Sequence, residues 1–330
     1  MKIYKLSFFW YIPIISGLLF QYPFATPITD GQQKLPNYKP GVANIILRSA
    51  DGGQTWQDIS EGLPENLQPV GFVEKDNAVY VRAGNAIFHH KPNSTTPFWE
   101  REIFPDDHSD IAPGKNGIFA YNYGGKFLQR INGASVWSLK YTNFQVKDVR
   151  TVFETAGGAL FIGCDNGLFK SVDNGKNWKQ VYTEGWVMKF AASYGVLLAT
   201  SQRGIIRSTD DGENWDRVIS EGGVGIAVEG IDGGFAAITY NTVSETRRVR
   251  TSYDSGKTWQ PIDAGLPASL SIASIIQVGE YFFCGHPTGI FRSSDKGKTW
   301  KLILPSIENK VFNLFVSGNV IYATPRNGGC

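Results

Sequence analysis

The string S-x-D-x-G-x-[TN]-W occurs five times, at Ser49–Trp56, Ser171–Trp178, Ser208–Trp215, Ser252–Trp259 and Ser293–Trp300. The tryptophans that close these copies are 122, 37, 44 and 41 residues apart. The first interval contains two worn copies, AIFHHKPNSTTPFW ending at Trp99 and KFLQRINGASVW ending at Trp137. With them the spacings become 43, 38, 41, 37, 44 and 41 residues. A fixed period of this length marks copies of one supersecondary unit that bury their apolar faces against one another. Only Trp10 and Trp186 fall off the beat.

Each period repeats more than its tryptophan. Two apolar runs joined by a turn come first, as in VRTVFETAGGALFIGC, VMKFAASYGVLLATS and IASIIQVGEYFFCGH. A third run leads into the box, as in GLFKS, GIIRS and GIFRS, and a fourth follows the tryptophan, as in WKQV and WKLI. The runs are short, rich in β-branched and aromatic residues, and punctuated by Gly, Asn and Asp, which is the pattern of strands and tight turns. Four strands in about 40 residues form one blade of a β-propeller. The chain opens with a third-and-fourth-strand pair, NIILRSADGGQTWQDI, and closes with a first-and-second-strand pair, VFNLFVSGNVIYATP. Joining these halves predicts an all-β, seven-bladed propeller of four-stranded antiparallel blades, closed by pairing its N- and C-terminal strands so that no sheet edge is left open. The RNGGC that follows reads as the start of a further third strand that stops.

The repeated string resembles the Asp box, or BNR repeat, of sialidases and related propellers, over about residues 43–324. Its physics is structural. The Asp carboxylate accepts hydrogen bonds from N–H groups of its own turn, the Ser or Thr adds a hydroxyl bond, the Gly tolerates a positive φ, and the Trp buries its ring. Asp51, Asp173, Asp210, Asp254 and Asp295 are therefore structural. Being at the same place in five blades, they spread around a ring and cannot converge on a substrate or a calcium ion. The resemblance implies that the boxes lie on the face opposite the binding site.

Function is then expected on the other face, among the loops between second and third strands and between blades. These loops carry Arg82, Tyr121, Tyr123, Asp165, Asn166, Gln202, Arg203, His286, Arg326 and Asn327. The longest, Tyr240–Arg248, carries Glu245, Arg247 and Arg248. Arg203, Tyr240, Arg247, Arg248, His286, Arg326 and the off-beat Trp186 are the candidate ligand-binding residues, and Glu245, Asp165 and Asp107 the candidate catalytic carboxylates. A solvated rim, or a buried structural Trp186, are the alternative readings of the same residues. The segment PDDHSD (105–110) reads as a wet turn, and nothing in the sequence calls for a metal or another cofactor.

Three kinds of Asp-box propeller are similar to this pattern. Sialidases have six blades, a triad of arginines and an Arg-Ile-Pro tripeptide before the first box; here that stretch is ANIILRSADGG. Glycoside hydrolases of the xyloglucanase type set two seven-bladed propellers across a cleft and use paired carboxylates, whereas this chain has repeats for one. Photosystem II assembly factors are single seven-bladed propellers that bind protein partners, with a basic patch among their binding features; Arg247, Arg248 and Arg250 are similar to that patch in composition. The expectation is a binding or assembly module holding a protein or glycan on the loop face, with a glycan-active enzyme or a sugar-binding lectin as alternatives.

The remaining features set context. Lys2 and Lys5, then an apolar run from Leu6 to Phe20 and an exit near Ala25, predict an export signal over 1–25, a linker over 26–42 and the propeller over 43–330. A secreted or periplasmic protein follows, with no membrane span once the signal is removed. Its loss would leave 30 basic against 30 acidic residues, and a neutral chain lacks the charge to hold nucleic acid. Three cysteines, Cys164, Cys284 and Cys330, are too few and too odd in number for a disulfide framework.

Overall fold

The computed structural model describes residues 45–328 apart from short stretches at 65–66, 68, 70, 77, 84–85, 91–98, 104–108, 133, 135, 141–147 and 222. The expected signal and linker, Asp107 and most of PDDHSD lie outside the described residues.

The described chain forms seven four-stranded antiparallel sheets, six of them built from consecutive strands. Blade 4 is typical, with strands Val187–Ser193, Val196–Ser201, Gly204–Ser208 and Asp216–Ile219. First strands of adjacent blades touch one another, so they form the inner wall of a ring. In blades 1 to 7 these inner strands are Gly71–Lys75, Ser109–Gly114, Val149–Glu154, Val187–Ser193, Gly223–Ile231, Ser274–Val278 and Val311–Ser317. Blade 7 is the expected composite. Leu47–Ser49 pairs with Val320–Arg326 through Leu47↔Ala323, Arg48↔Tyr322 and Ser49↔Ile321, and Gln57–Asp58 forms the outer strand. That pairing also corrects the reading of RNGGC. The third-strand position of blade 7 is already filled by Leu47–Ser49, and the second strand ends at Arg326.

The core lies between blades. Phe161, Leu168 and Tyr182 of blade 3 pack with Val187, Leu197, Ala199 and Ile206 of blade 4, and Phe283, Ile290 and Leu304 of blade 6 with Phe312, Leu314 and Ile321 of blade 7. Blade contact is close enough to demand glycine at some second-strand positions. A Cβ on Gly285 would stand 2.0 Å from the Phe312 carbonyl oxygen, and one on Gly163 would stand 2.3 Å from that of Val187.

Antiparallel connectivity puts the boxes and the turns between first and second strands on one face. It puts the second-to-third turns and the connections between blades on the other. Blade 5 departs from expectation here. Its second and third strands, Gly234–Asn241 and Thr246–Ser252, run on through most of the stretch read as a long loop, leaving a four-residue turn at 242–245. The Tyr240↔Arg247 and Asn241↔Thr246 pairs continue the ladder.

Candidate functional site

On the box face the hydrogen bonding is internal. In blade 3 the buried Ser171 hydroxyl donates to Asp173 (2.8 Å) and accepts from Gly175 N–H (2.9 Å), while Asp173 accepts from the Asn177 backbone (2.8 Å) and amide (2.6 Å). Blades 4, 5 and 6 repeat the arrangement around Asp210, Asp254 and Asp295, and blade 7 around Asp51. The backbone N–H of Asn177, and then its side chain, hold the Asp173 carboxyl down to about 2; the Thr299 hydroxyl and N–H do the same for Asp295. Two successive residues have positive φ, for example Asn174 at 63° and Gly175 at 85°. Asn174 and Asp211, which hold the first of these in blades 3 and 4, tolerate the left-handed region better than most residues.

The boxes also join blades. Trp300 Nε1 donates to the Ile262 carbonyl of the preceding blade at 2.7 Å, and the Trp215 ring meets Phe161 edge-on at 6.3 Å. The basic residue just before the box serine, a feature of GLFKS, GIIRS and GIFRS that sequence reading passed over, reaches the next blade's box. Lys170 pairs with Glu213 (2.7 Å), Arg207 donates to the Ser255 carbonyl (2.6 Å), and Arg292 donates to the Gly52 carbonyl (3.0 Å). Between blades 5 and 6 this face has a cleft of about 820 Å³ lined by residues that include Asp232, Tyr253, Gln277, Glu280 and Lys296.

On the loop face the expected candidates separate into two groups. Several are part of the scaffold. Arg247 is buried and donates to the Ile272 carbonyl of blade 6 (2.6 Å). Arg248 forms a two-pronged pair with Asp263 (2.7 and 3.0 Å), and buried Arg250 binds Thr239 (2.6 Å) and Glu221. The three arginines are thus anchors of blade 5, not one exposed basic patch, because the longer strands carry two of them into the packed interior. His286 is also buried, held by the Pro267 carbonyl (3.0 Å) and the Thr288 hydroxyl (2.8 Å), and burial pushes its imidazole below the ordinary range. Tyr240 lies in the ladder opposite Arg247. Glu245 sits exposed in the short turn with φ 51°.

The others meet at the rim. Asp165, in the second-to-third turn of blade 3, pairs with Arg150 of that blade's inner strand and accepts from the Tyr123 hydroxyl of blade 2 at 2.5 Å. The Arg150 guanidinium lies 5.9 Å from the Tyr123 ring and 5.8 Å from the Trp186 ring, where blade 4 begins. Trp186 is fixed by its carbonyl, which accepts from Gln202 N–H at 3.0 Å. Partial burial would raise the Asp165 carboxyl, but the Arg150 bond and the Tyr123 hydroxyl outweigh it and hold Asp165 ionised. Such a group can fix a cation or accept hydrogen bonds; it is poorly suited to donate a proton. Tyr123 remains 53% exposed, so the cluster presents a ring, a guanidinium and a carboxylate to solvent. Arg203 stands outside it, exposed, with its guanidinium 3.6 Å from Glu184. Sequence reading found Tyr123, Asp165 and Trp186 but missed Arg150, which looks like any polar residue of a half-buried strand.

Inside the rim, the inner strands place charge in the central channel. Lys189 of blade 4 attracts Asp110 of blade 2 and Glu229 of blade 5, while Arg326, at the loop-face end of blade 7, repels it; desolvation pulls the Lys189 ammonium below the ordinary lysine range. Desolvation pushes the Asp110 carboxyl up to about 6 and that of Glu229 to about 7, with Lys189 pulling both back. Among the described residues no group of three His, Cys, Asp or Glu side chains is placed to hold a metal ion.

No family model and no curated protein matches the chain. Its fold matches solved structures at low identity. A GH74 xyloglucanase from Xanthomonas campestris superposes with a TM-score of 0.62 at 16% identity, covering 79% of this chain and 52% of the enzyme. This chain therefore spans about half of that protein. YCF48 bound to a D1 peptide superposes with a TM-score of 0.54 at 14% identity, over 81% of this chain and 96% of that one. The extracellular domain of a putative hybrid two-component system from B. thetaiotaomicron gives 0.54 at 11% identity, over 78% and 45%. Solved structures that include a GH74 xyloglucanase and YCF48 with a bound D1 peptide thus share this fold.

Proposed function

We propose that this chain is an exported binding or assembly module without catalysis of its own, and that it holds a segment of a protein partner on the loop face. The observation that carries this reading is the rim cluster. Tyr123, Arg150, Asp165 and Trp186 come from three consecutive blades, and they combine aromatic surface with fixed polar groups of both signs, the composition of binding hot spots. The box face, by contrast, spends its five box aspartates on their own turns. The reading is supported by a structural neighbour of the same single-propeller extent that carries a bound peptide. Export rests on the N-terminal sequence pattern and is consistent with an extracellular domain among the neighbours.

A second reading, a glycoside hydrolase, is favoured by the higher TM-score with the xyloglucanase. Two assays separate them. The module reading expects a random peptide display library to yield sequences that the wild-type protein captures, and expects no turnover across a fluorogenic glycoside panel. Hydrolysis of any glycoside, abolished by Asp165→Asn or Glu245→Gln, would give the enzyme reading instead. Glycan-array binding without peptide capture or turnover would make the protein a lectin.

A further inference from the structure

Two box copies differ from the rest in a way that the turn itself does not require. The residue after the box serine is Ala50, Val172, Thr209 and Ser294 in four copies and Tyr253 in blade 5. The residue between the box Asp and Gly is Gly52, Asn174, Asp211 and Ser255 in four copies and Lys296 in blade 6. Lys296 has φ 59°, and a lysine lacks the short polar side chain with which Asn and Asp offset a left-handed backbone. The two odd residues meet. The Lys296 ammonium lies 5.6 Å from the centre of the Tyr253 ring, although they belong to different blades. Strain kept where the fold does not ask for it points to use.

Both residues line the cleft of about 820 Å³ between blades 5 and 6, a volume within the roughly 300–1,000 Å³ of small-molecule sites. The cleft is preformed. The Gln277 side chain of blade 6 accepts from the Asp232 N–H at 2.7 Å and donates to the Gly279 carbonyl at 2.9 Å. These bonds tie together the first-to-second turns of the two blades, and Asp232 and Glu280, one on each turn, line the same space. Tyr253 is 51% exposed. The Asp232 and Glu280 carboxylates and the Lys296 ammonium have no ion pair or hydrogen bond among the described residues, unlike Lys170, Arg207 and Arg292 of the same face.

That lining selects against net charge. A cationic ligand meets Lys296, and an anionic one meets Asp232 and Glu280. A neutral ligand whose hydroxyls both donate and accept can use all three groups. A flat apolar face on that ligand finds its partner in the Tyr253 ring. We propose that the box-face cleft is a binding site for a neutral saccharide, stacked on Tyr253, with its hydroxyls donating to Asp232 and Glu280 and accepting from Lys296. This site is independent of the peptide reading of the loop face, and either can fail alone.

The test uses saturation-transfer NMR and calorimetry on the full chain with maltotriose, cellotriose and triacetylchitotriose as neutral probes. Deacetylated chitotriose and trigalacturonate serve as the cationic and anionic probes. At least one neutral trimer is expected to bind, with saturation strongest on its ring protons, and both charged trimers to bind about tenfold or more weakly. Tyr253→Ala removes binding and Tyr253→Phe retains it. Lys296→Gly, which relieves the backbone at a position where blade 7 already has Gly52, is expected to melt no lower than the wild type yet to bind about tenfold more weakly. Absence of binding by all three neutral trimers overturns the proposal, as does tighter binding of either charged trimer. Wild-type affinity in both Tyr253→Ala and Lys296→Gly would place any saccharide elsewhere and equally overturn it. Tyr253→Ala is expected to leave peptide capture unchanged; loss of capture in that variant, with no saccharide bound by the wild type, would make the cleft a peptide site instead.

Discussion

At the residue scale, the Asp-box carboxylates show how a motif that looks chemical can be consumed by its own backbone. Each takes bonds from its turn, and each titrates below its ordinary range for that reason. The sign of the consequence is fixed by linkage. A carboxyl whose folded pKa is depressed contributes stability that is complete above its unfolded value, near 3.9, and lost as pH falls through the folded value. The boxes are therefore expected to cost the protein stability between about pH 4 and pH 2. Thermal melts across that window should flatten in a variant carrying Asn at 173, 210 and 254; an unaltered acid slope would mean that these bonds do not persist in solution. The box aspartates were legible in the sequence because the motif states its own geometry. Lys189, Glu229 and Arg150 were not. Their importance comes from standing on inner strands, where radial position and not local pattern decides whether a polar side chain meets solvent or the channel.

At the scale of the element, the blade was legible because its tryptophan and its glycine recur at one spacing, and both are needed at fixed places. Strand ends were less so. In YNTVSETRR the polar and charged residues read as a loop, yet the ladder of blade 5 continues through Asn241↔Thr246 because the buried Arg247 and Arg250 find carbonyl and hydroxyl partners inside the packing and, for Arg250, a carboxylate at its edge. Polarity predicted exposure, and hydrogen bonding overrode it. The composite blade gives a quantitative expectation. Leu47, 2% exposed, is packed into the blade 6–blade 7 core although it comes from the far end of the chain. Leu47→Ala should therefore destabilise as Leu198→Ala does within a continuous blade, by about 2–5 kcal/mol. A denaturant midpoint barely moved by Leu47→Ala would mean that the N-terminal strand is not part of the cooperative ring.

At the scale of the whole molecule, closure divides labour between two faces. The box face joins blade to blade through Lys170, Arg207, Arg292 and the tryptophans, and its polar groups are largely committed. The loop face gathers residues from different blades, at the rim around Arg150 and in the channel around Lys189, and keeps aromatic and charged groups facing water. The ring could be read from the period and its closure from the two half-blades, whereas the pairing of residues from separate blades could not, since it depends on neighbours that the sequence places about 40 residues apart. The most direct test compares the faces in one peptide-capture measurement. Tyr123→Ala with Trp186→Ala on the loop face is set against Tyr194→Ala with Tyr253→Ala on the box face, each pair first shown to melt as the wild type does. The account predicts that the loop-face pair loses capture by roughly tenfold or more while the box-face pair retains it; loss confined to the box-face pair would contradict it.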